Sequence, residues 1–296
     1  MKYITTTDAT SGEEVNLSYK DYGKGRPVVL IHGWPVSKDM WEYQIDDLVN
    51  AGLRVIKYDR RGFGKSDKPW DGYDYDTFTD DLHAILEKLD LEDAVLVGFS
   101  MGGGEAVRYV NRYGTTGRVS KIVLVSAVVP FLGQANDNPD GVPQAVFAEI
   151  IEALKEDRIA FLDTFGEQFF GVSMIKHPVS KPYLQYFRGL AEVALPRATQ
   201  QCALAFANTD FRADVAAVNV PTLIIHGDAD KTVPIEASSD RTAKMIPNAI
   251  YKIYNGAPHG LFYTDRKKLN QDIIDFCLNT GSGQSIEAKQ SGSVSL

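Results

Sequence analysis

Short continuous runs of apolar residues alternate with longer amphipathic stretches along most of the chain. Five of these runs are rich in Val, Ile and Leu and lie at 27–31, 54–58, 94–98, 121–127 and 221–226. Such runs are typical of strands that are buried on both faces of a sheet. Between them, apolar residues recur every three or four positions over 38–50 and 77–89, which predicts helices with one buried face. The alternation predicts an α/β protein with a mostly parallel sheet and helices on both faces.

The two ends of the chain follow a different pattern. Residues 2–7 and 15–22 alternate polar and apolar positions, which predicts an antiparallel hairpin at an edge of the sheet. Three further elements complete the pattern, a helix over 236–246, a strand over 249–254 and a last helix from about 264 to 278. Residues 281–296 are rich in Gly and Ser, a composition typical of a flexible tail.

The stretch 130–219 interrupts the alternation of strands and helices. It contains no buried β-branched run, and its helical segments, rich in Phe and Tyr, lie at 143–154, 157–169 and 197–207. Ligands bind beyond the carboxyl ends of the strands in sheets of this kind, so we expect the insertion to form a helical cap over an apolar pocket there. Extra helices packed on the sheet are the alternative. The predicted organisation is a core at 1–129 and 220–280, a cap at 130–219 and a flexible tail at 281–296.

Composition narrows the class of protein. The chain has 296 residues, of which 44% are hydrophobic and 24% charged, as in ordinary globular proteins. The net charge of −8 and the lack of a basic stripe argue against nucleic acid or an anionic membrane as partner. There is no run of 18 apolar residues and no apolar leader, so we expect a cytoplasmic protein without a transmembrane helix. Cys202 and Cys277 have no metal-binding spacing and are expected to be free thiols.

Residues 95–104, with the sequence VLVGFSMGGG, carry the strongest chemical signal. An apolar strand, a Gly-x-Ser-x-Gly turn and a helical pattern follow one another, which is the context of a nucleophile elbow. Gly98 and Gly102 supply the small positions that a sharp turn around Ser100 requires. The helix that begins at Met101 directs free backbone N–H groups towards the reacting centre. Ser100 is therefore the predicted nucleophile.

A serine hydroxyl needs a base that takes its proton, and the base needs an acid that orients it. Where an elbow of this kind is used, the chain order is serine, acid, histidine. His259 follows both candidate acids and lies in a loop of small residues after strand 249–254, so it is the predicted base. The four other histidines precede the candidate acids and are given no part in proton transfer: His32, His83, His177 and His226.

Two aspartates compete for the role of the acid. Asp228 and Asp230 both lie in the loop after strand 221–226. Asp228 directly follows the glycine that ends the strand, where an aspartate commonly accepts hydrogen bonds from the backbone of the turn. Asp230 lies farther out, where its carboxylate could reach His259. We favour Asp230, with Asp228 as the alternative.

Acyl transfer also requires two donors for the developing oxyanion. The backbone N–H of Met101, directly after the nucleophile, is one candidate. The second is expected in the loop after strand 27–31. Pro35 has no N–H, so the backbone N–H of Trp34 is the predicted donor. A tight loop without this role is the alternative.

Five segments of the chain together resemble the bacterial arylesterase and cofactor-free haloperoxidase (perhydrolase) branch of the α/β-hydrolases. They are HGWP at 32–35, DRRGFGKS at 59–66, GFSMGGG at 98–104, GDAD at 227–230 and APHG at 257–260. The resemblance covers about residues 1–280 and implies an α/β-hydrolase fold with an inserted helical cap. It also implies a Ser100–Asp230–His259 triad and an oxyanion hole of the Trp34 and Met101 amides. The implied protein is a serine carboxylesterase of short-chain or aryl esters.

Members of this branch commonly accept hydrogen peroxide in place of water and form peracids without haem or metal. The resemblance therefore implies a small-molecule ester as substrate, hydrogen peroxide as a second acceptor, and no cofactor or metal. A homo-oligomer is left open. Perhydrolases commonly carry Pro after the aromatic residue of the oxyanion hole, as Pro35 does here. We expect Pro35 to turn the Trp34 carbonyl towards the pocket, where it could accept a hydrogen bond from peroxide.

Other functions on the same scaffold remain as alternatives. A lactonase, a γ-lactamase or a C–C hydrolase would use the same three residues. A hydrolase-derived ligand receptor would also keep the triad but would turn its ligand over slowly. Dehalogenases and epoxide hydrolases use an aspartate as nucleophile, which Ser100 excludes. Cap side chains are expected to set the acyl length, among them Phe131, Phe147, Phe165 and Phe170.

Overall fold

A single sheet of eight strands organises the computed structural model, which describes residues 2–8 and 11–279. The predicted tail 281–296 lies outside the described residues. The strands are β1 (Lys2–Thr7), β2 (Glu14–Tyr22), β3 (Pro27–Ile31), β4 (Arg54–Tyr58), β5 (Ala94–Phe99), β6 (Val119–Val125), β7 (Thr222–Gly227) and β8 (Ile250–Tyr254). Their spatial order is β1-β2-β4-β3-β5-β6-β7-β8. In this order β1 and β8 form the two edges, and the other six strands lie in the interior of the sheet.

The pairing of the strands follows the hydrophobic pattern. The predicted hairpin is confirmed, because β1 pairs antiparallel with β2 at one edge, and β2 pairs antiparallel with β4. All other pairings are parallel. Every residue of β3, β5 and β7 is buried, as expected for strands that have helices on both faces. Parallel pairing brings the carboxyl ends of β5, β7 and β8 to one rim, where their loops meet.

Helices connect the strands and cover both faces of the sheet. The α-helices before the insertion are α1 (Glu42–Asn50), α2 (Tyr75–Lys88) and α3 (Met101–Tyr113). Those between β6 and β7 are α4 (Gln144–Glu156), α5 (Arg158–Phe169), α6 (Lys181–Glu192), α7 (Pro196–Asn208) and α8 (Arg212–Ala216). The last three are α9 (Ser239–Met245), α10 (Leu261–Thr264) and α11 (Arg266–Leu278). Short 3-10 helices lie at Lys38–Trp41 and Gly114–Thr116. None of the helices in the described part of the chain has the length and apolar character that crossing a membrane requires.

The sequence-based prediction omits α6, α8 and the short α10. Helix α6 begins after Ser180, whose side chain accepts a hydrogen bond from the backbone N–H of Tyr183, a typical N-cap. Its buried residues Tyr183, Phe187 and Ala191 recur every four positions. This spacing is visible in the sequence and would have predicted the helix. The predicted helix over 236–246 is shorter than expected, because the structure places its first three residues in a turn.

Candidate active site

Three loops at the rim bring the predicted nucleophile, base and acid together. Ser100 follows β5, Asp230 follows β7 and His259 follows β8. The Nε2 atom of His259 lies 3.0 Å from the Ser100 hydroxyl oxygen, and its Nδ1 atom lies 2.6 Å from the Asp230 carboxylate. A carboxylate only accepts hydrogen bonds, so Nδ1 carries a proton, and Nε2 faces the serine hydroxyl, whose proton it can accept. The three side chains form one continuous hydrogen-bonded chain.

The backbone around Ser100 has the geometry of a strained turn. Ser100 has φ 53° and ψ −118°, a positive φ that side-chain-bearing residues rarely adopt. Its backbone N–H donates to the carbonyl of Val125 at 2.9 Å, which anchors the turn to β6. A Cβ at Gly98 would lie 2.4 Å from the Gly102 carbonyl oxygen, and one at Gly102 would lie 2.7 Å from that of Ile31. Both glycines are needed because the turn leaves no room for a side chain.

All the hydrogen-bonding positions of the Asp230 carboxylate have partners. Its Oδ1 atom accepts from the backbone N–H groups of Thr232 at 2.9 Å and Val233 at 2.8 Å. Its Oδ2 atom lies near His259 at 2.6 Å and His226 at 3.1 Å. Burial alone would raise the pKa of this carboxyl, but the charge of His259 and the hydrogen bonds from both histidines hold the pKa below its usual range. Asp230 is therefore a carboxylate across the neutral range of pH.

The competing acid has a different set of contacts. The Asp228 carboxylate accepts the backbone N–H of Gly256 at 2.6 Å and thereby joins the loops after β7 and β8. Asp228 is exposed, whereas the Asp230 side chain is fully buried. The sequence analysis expected Asp228 to accept from the backbone of its own turn, whereas the donor that the structure shows lies in the loop after β8. Among the described contacts, the hydrogen bonds of the His259 ring go to Asp230 and Ser100.

Aromatic rings hold His259 in place. The ring of Phe99 lies 4.9 Å from the imidazole, and the ring of Phe169, from α5, meets it edge-on at 4.7 Å. A Cβ at Gly260 would lie 2.2 Å from the ring of Phe170. This close packing leaves His259 1% exposed, so its ring is held in one orientation by apolar neighbours as well as by hydrogen bonds.

His226 is the one neighbour of the triad acid that the sequence analysis set aside. It lies at the end of β7 and is fully buried. Its Nε2 atom lies 3.1 Å from Asp230 Oδ2 and 3.0 Å from the carbonyl oxygen of Val233, and its Nδ1 atom lies 2.7 Å from the hydroxyl of Ser239. The sequence analysis set His226 aside because it precedes the acid in the chain. The loop after β7 brings the Asp230 side chain back to His226, and this contact is seen only in the structure.

The predicted oxyanion-hole residues flank Ser100. Met101 is the first residue of α3, so its backbone N–H has no partner within the helix. Trp34 lies in the loop after β3, and its peptide bond to Pro35 is cis. The indole N–H of Trp34 donates to the carbonyl of Thr199 at 2.9 Å, in α7. A Cβ at Gly33 would lie 2.6 Å from the ring of Phe99, so the loop packs tightly against the elbow strand.

A buried polar network fixes the loop that carries Trp34. The backbone N–H of Arg60 donates to His32 Nε2 at 3.0 Å, so His32 Nδ1 bears the proton and donates to the carbonyl of Gly33 at 2.8 Å. The Arg60 guanidinium in turn donates to the His32 carbonyl at 2.8 Å and forms a buried ion pair with Glu105. Burial, together with the charge of Arg60, holds the pKa of His32 well below its usual value. A neutral His32 thus supports the loop.

A cavity of about 230 Å³ opens at Ser100 and His259. Its remaining wall is mostly apolar and comes largely from the segment between β6 and β7, with Leu132, Val142, Val146, Phe147, Ile150, Phe161, Phe165 and Phe206. Of the four phenylalanines expected to set acyl length, Phe147 and Phe165 line this cavity. Phe131 instead lies beneath the guanidinium of Arg212, and Phe170 packs among the aromatic rings behind His259. Those two expectations are wrong, because neither side chain lines the cavity.

Among residues 2–8 and 11–279, no three His, Cys, Asp or Glu side chains cluster in a way that could hold a metal ion. The thiols of Cys202 and Cys277 are free and buried, and burial raises the pKa of Cys277 to about 12. Both thiols therefore stay protonated at neutral pH.

Known proteins are similar to this chain in both sequence and fold. Residues 26–265 match the α/β hydrolase fold family. The chain is 43% identical to a non-heme chloroperoxidase from Kitasatospora aureofaciens, over 90% of this chain and 98% of that protein. It is 37% identical to a bifunctional esterase/perhydrolase from Acinetobacter calcoaceticus, over 93% of this chain and 99% of that protein. The crystal structure of bromoperoxidase from Bacillus anthracis superposes with a TM-score of 0.89 at 46% identity, covering 94% of this chain and 100% of that one.

The chain therefore belongs to the α/β-hydrolase family, and it is an enzyme of the hydrolase class. Within the family it falls in the branch of non-heme haloperoxidases, esterases and perhydrolases that the sequence motifs resemble.

Proposed function

We propose that the protein is a serine carboxylesterase that hydrolyses short-chain or aryl esters through an acyl-enzyme. The observation that carries this proposal is the hydrogen-bonded chain from Ser100 through His259 to Asp230. Ser100 and His259 line a mostly apolar cavity. A nucleophile, a base and an orienting acid in this geometry are the groups that acyl transfer needs.

In the first half of the proposed reaction, the Ser100 hydroxyl oxygen attacks the ester carbonyl while His259 Nε2 takes the hydroxyl proton. The negative charge that develops on the carbonyl oxygen is stabilised by the backbone N–H groups of Met101 and Trp34. Asp230 keeps the Nδ1 proton of His259 in place and stabilises the imidazolium that forms. His259 then gives its Nε2 proton to the departing alcohol, which leaves an acyl group on Ser100.

In the second half, water attacks the acyl-enzyme and His259 removes a proton from it. Collapse of the second tetrahedral intermediate releases the carboxylic acid and restores the serine hydroxyl. His259 takes protons from Ser100 and from water and gives them to the departing alcohol and back to Ser100, so the proposed chemistry uses no cofactor.

The small volume of the cavity favours a substrate with a small acyl or aryl group. Its volume of about 230 Å³ lies below the roughly 300–1,000 Å³ of pockets for drug-sized ligands. We propose that residues 130–219 act as a cap on a core formed by 1–129 and 220–280. Their helices α4, α5 and α7 contribute side chains to the cavity opposite Ser100, and this placement supports the cap over the alternative of helices packed on the sheet.

A series of p-nitrophenyl esters from acetate to octanoate tests the proposed activity. The wild-type protein is expected to prefer acetate or butyrate, because longer chains exceed the cavity. The Ser100→Ala variant is expected to lose about 10⁴-fold or more in kcat, as when other serine hydrolases lose the nucleophile. Hydrolysis that survives in Ser100→Ala would contradict the proposal, and a folded wild-type protein without turnover would favour a specialised lactone or C–C substrate.

We further propose a perhydrolase side activity, in which hydrogen peroxide replaces water. Peroxide oxygen would attack the acyl-enzyme, His259 would take a peroxide proton, and a peracid and the free Ser100 hydroxyl would result. Halide oxidation would then follow from the peracid, outside the protein's own chemistry. The names of the chloroperoxidase and the esterase/perhydrolase relatives support this activity.

Pro35 is the residue to change in a test of the side activity. In the proposed arrangement the Trp34 carbonyl accepts a hydrogen bond from the attacking peroxide, and Pro35 sets the direction of that carbonyl. The Pro35→Leu variant is expected to lower the ratio of perhydrolysis to hydrolysis by about tenfold, roughly the effect of one hydrogen bond. Both rates are measured on the same ester with and without hydrogen peroxide, and an unchanged ratio would contradict the role of Pro35.

A further inference from the structure

The acid of the candidate triad is held by a second histidine, which takes no part in the mechanism above. His226 lies at the end of β7, four residues before Asp230, and both side chains are fully buried. Its Nε2 atom approaches the same carboxylate oxygen, Oδ2, that His259 contacts. The two imidazoles thus share one oxygen atom of the triad acid.

The neighbours of His226 determine where its proton lies. Nε2 faces Asp230 Oδ2 at 3.1 Å and the carbonyl oxygen of Val233 at 3.0 Å. Both are acceptors only, so Nε2 carries a proton and shares it between them. The hydroxyl of Ser239, at the start of α9, lies 2.7 Å from Nδ1. The ring is therefore a donor to the triad acid through Nε2.

The same contacts close a small ring of hydrogen bonds around the acid. The backbone N–H of Val233 donates to Asp230 Oδ1, while the carbonyl of Val233 accepts from His226. The loop 230–233 is thereby tied to the end of β7 through its own backbone. Val233 also lines the catalytic cavity, so a change at His226 would reach both the acid and the cavity wall.

We propose that His226 is a positioning residue that fixes the orientation of the Asp230 carboxylate towards His259. This inference rests on the proposed function, which it deepens by adding a fourth side chain to the catalytic arrangement. Without the His226 donor, Oδ2 loses one of its two side-chain partners and the carboxylate can rotate away from the His259 Nδ1–H. The hydrogen bond from His259 Nδ1 to Oδ2 would then be weaker.

Two isosteric variants separate the roles of the two ring nitrogens. Gln at position 226 places an amide N–H near the position of Nε2, whereas Asn places its amide near Nδ1. His226→Gln is expected to keep kcat within about threefold of wild type, and His226→Asn to lower kcat roughly 10- to 100-fold with little change in KM. His83→Gln is the matched control, since His83 stacks on Tyr113 away from the site, and it is expected to leave kcat unchanged.

The pH profile of kcat/KM gives a readout that a merely structural role would not move. His259 faces Asp230, Ser100 and the rings of Phe99 and Phe169, and the cationic residue at the same cavity is Lys231. In His226→Asn the carboxylate that has rotated away stabilises the His259 imidazolium less, so the acid limb of the profile is expected to move to lower pH. In His226→Gln the limb is expected to stay near its wild-type position.

A spectroscopic measurement keeps this inference separate from the proposed function. The proton between His259 Nδ1 and Asp230 gives a far-downfield ¹H resonance, which is expected to shift in His226→Asn and to stay in place in His226→Gln. This resonance can be followed even if ester hydrolysis survives in Ser100→Ala and the proposed function fails. Equal kcat, pH profile and resonance in wild type and a folded His226→Asn would overturn the role of His226.

Discussion

The two walls of the catalytic cavity are held in place by different forces. On the sheet side, backbone hydrogen bonds fix the reactive groups, such as the Ser100 N–H on the Val125 carbonyl and the two N–H groups on Asp230 Oδ1. On the helical side, aromatic packing orients the side chains, as in the stack of Phe161 on Phe165 with centroids 5.5 Å apart. Hydrogen bonds are directional and define atomic positions to fractions of an ångström. Apolar packing instead tolerates the replacement of one side chain by another of similar volume. In the proposed function, the chemistry therefore lies on the sheet side and substrate selection on the helical side.

The largest effect is expected from the acid on the sheet side. Asp230→Asn would present an amide donor to His259 and favour the wrong tautomer, so kcat is expected to fall about 10⁴-fold. The matched variant Asp228→Asn changes a carboxylate two residues away that bonds the Gly256 N–H. It is expected to keep kcat within about threefold, measured on p-nitrophenyl butyrate. Similar losses in both variants would leave the acid unassigned and contradict the choice of Asp230.

The same pair of variants is expected to differ in how stability depends on pH. The folded-state pKa of Asp230 lies below its usual value of 3.8, so this group contributes stability above that value and loses it as pH falls through the folded pKa. Below about pH 4, the free energy of unfolding of wild type and Asp228→Asn should fall more steeply than that of Asp230→Asn. Urea unfolding from pH 7 to pH 3 measures these slopes, and parallel curves would contradict a lowered pKa.

A smaller effect is expected from the helical side. Phe147→Ala enlarges the cavity, so about two more methylenes of a long acyl chain could be buried at about 0.8 kcal/mol each. The ratio of kcat/KM for octanoate to that for acetate is expected to rise roughly tenfold, with a smaller rise in Phe147→Leu. Ile159→Ala, an exposed position on α5, is the control and should leave the ratio unchanged. An unchanged ratio in folded Phe147 variants would mean that this wall does not contact the acyl chain.

The sheet side was also the more predictable of the two from sequence. A strand that is buried on both faces needs a continuous apolar run, and both β3 and β4 occupy the residues that the pattern predicted. The elbow at Ser100 is equally visible, because a sharp turn restricts its neighbours to glycine. In the insertion, α4 to α7 pack on one another, and α6 was omitted from the prediction although its buried residues recur every four positions.

Contacts that depend on the return of a loop could not be predicted. His226 and Asp230 are four residues apart in the chain, but only the folded loop shows that their side chains meet and that Val233 joins them. Likewise, the sequence does not show which phenylalanine faces the cavity. In the structure Phe147 faces it, whereas Phe131 lies under Arg212. Side-chain direction at such positions is set by tertiary packing, which a single sequence does not encode locally.

The central claim is that Ser100 is the nucleophile, and covalent trapping tests it most directly. Diethyl p-nitrophenyl phosphate is expected to release one equivalent of p-nitrophenol per protein and to leave a diethylphosphoryl group on the peptide that contains Ser100, as seen by mass spectrometry. Ester hydrolysis should be lost in proportion to labelling, and a folded Ser100→Ala should take up no label. Full loss of activity with the label on another residue, or continued hydrolysis after complete labelling of Ser100, would contradict the account.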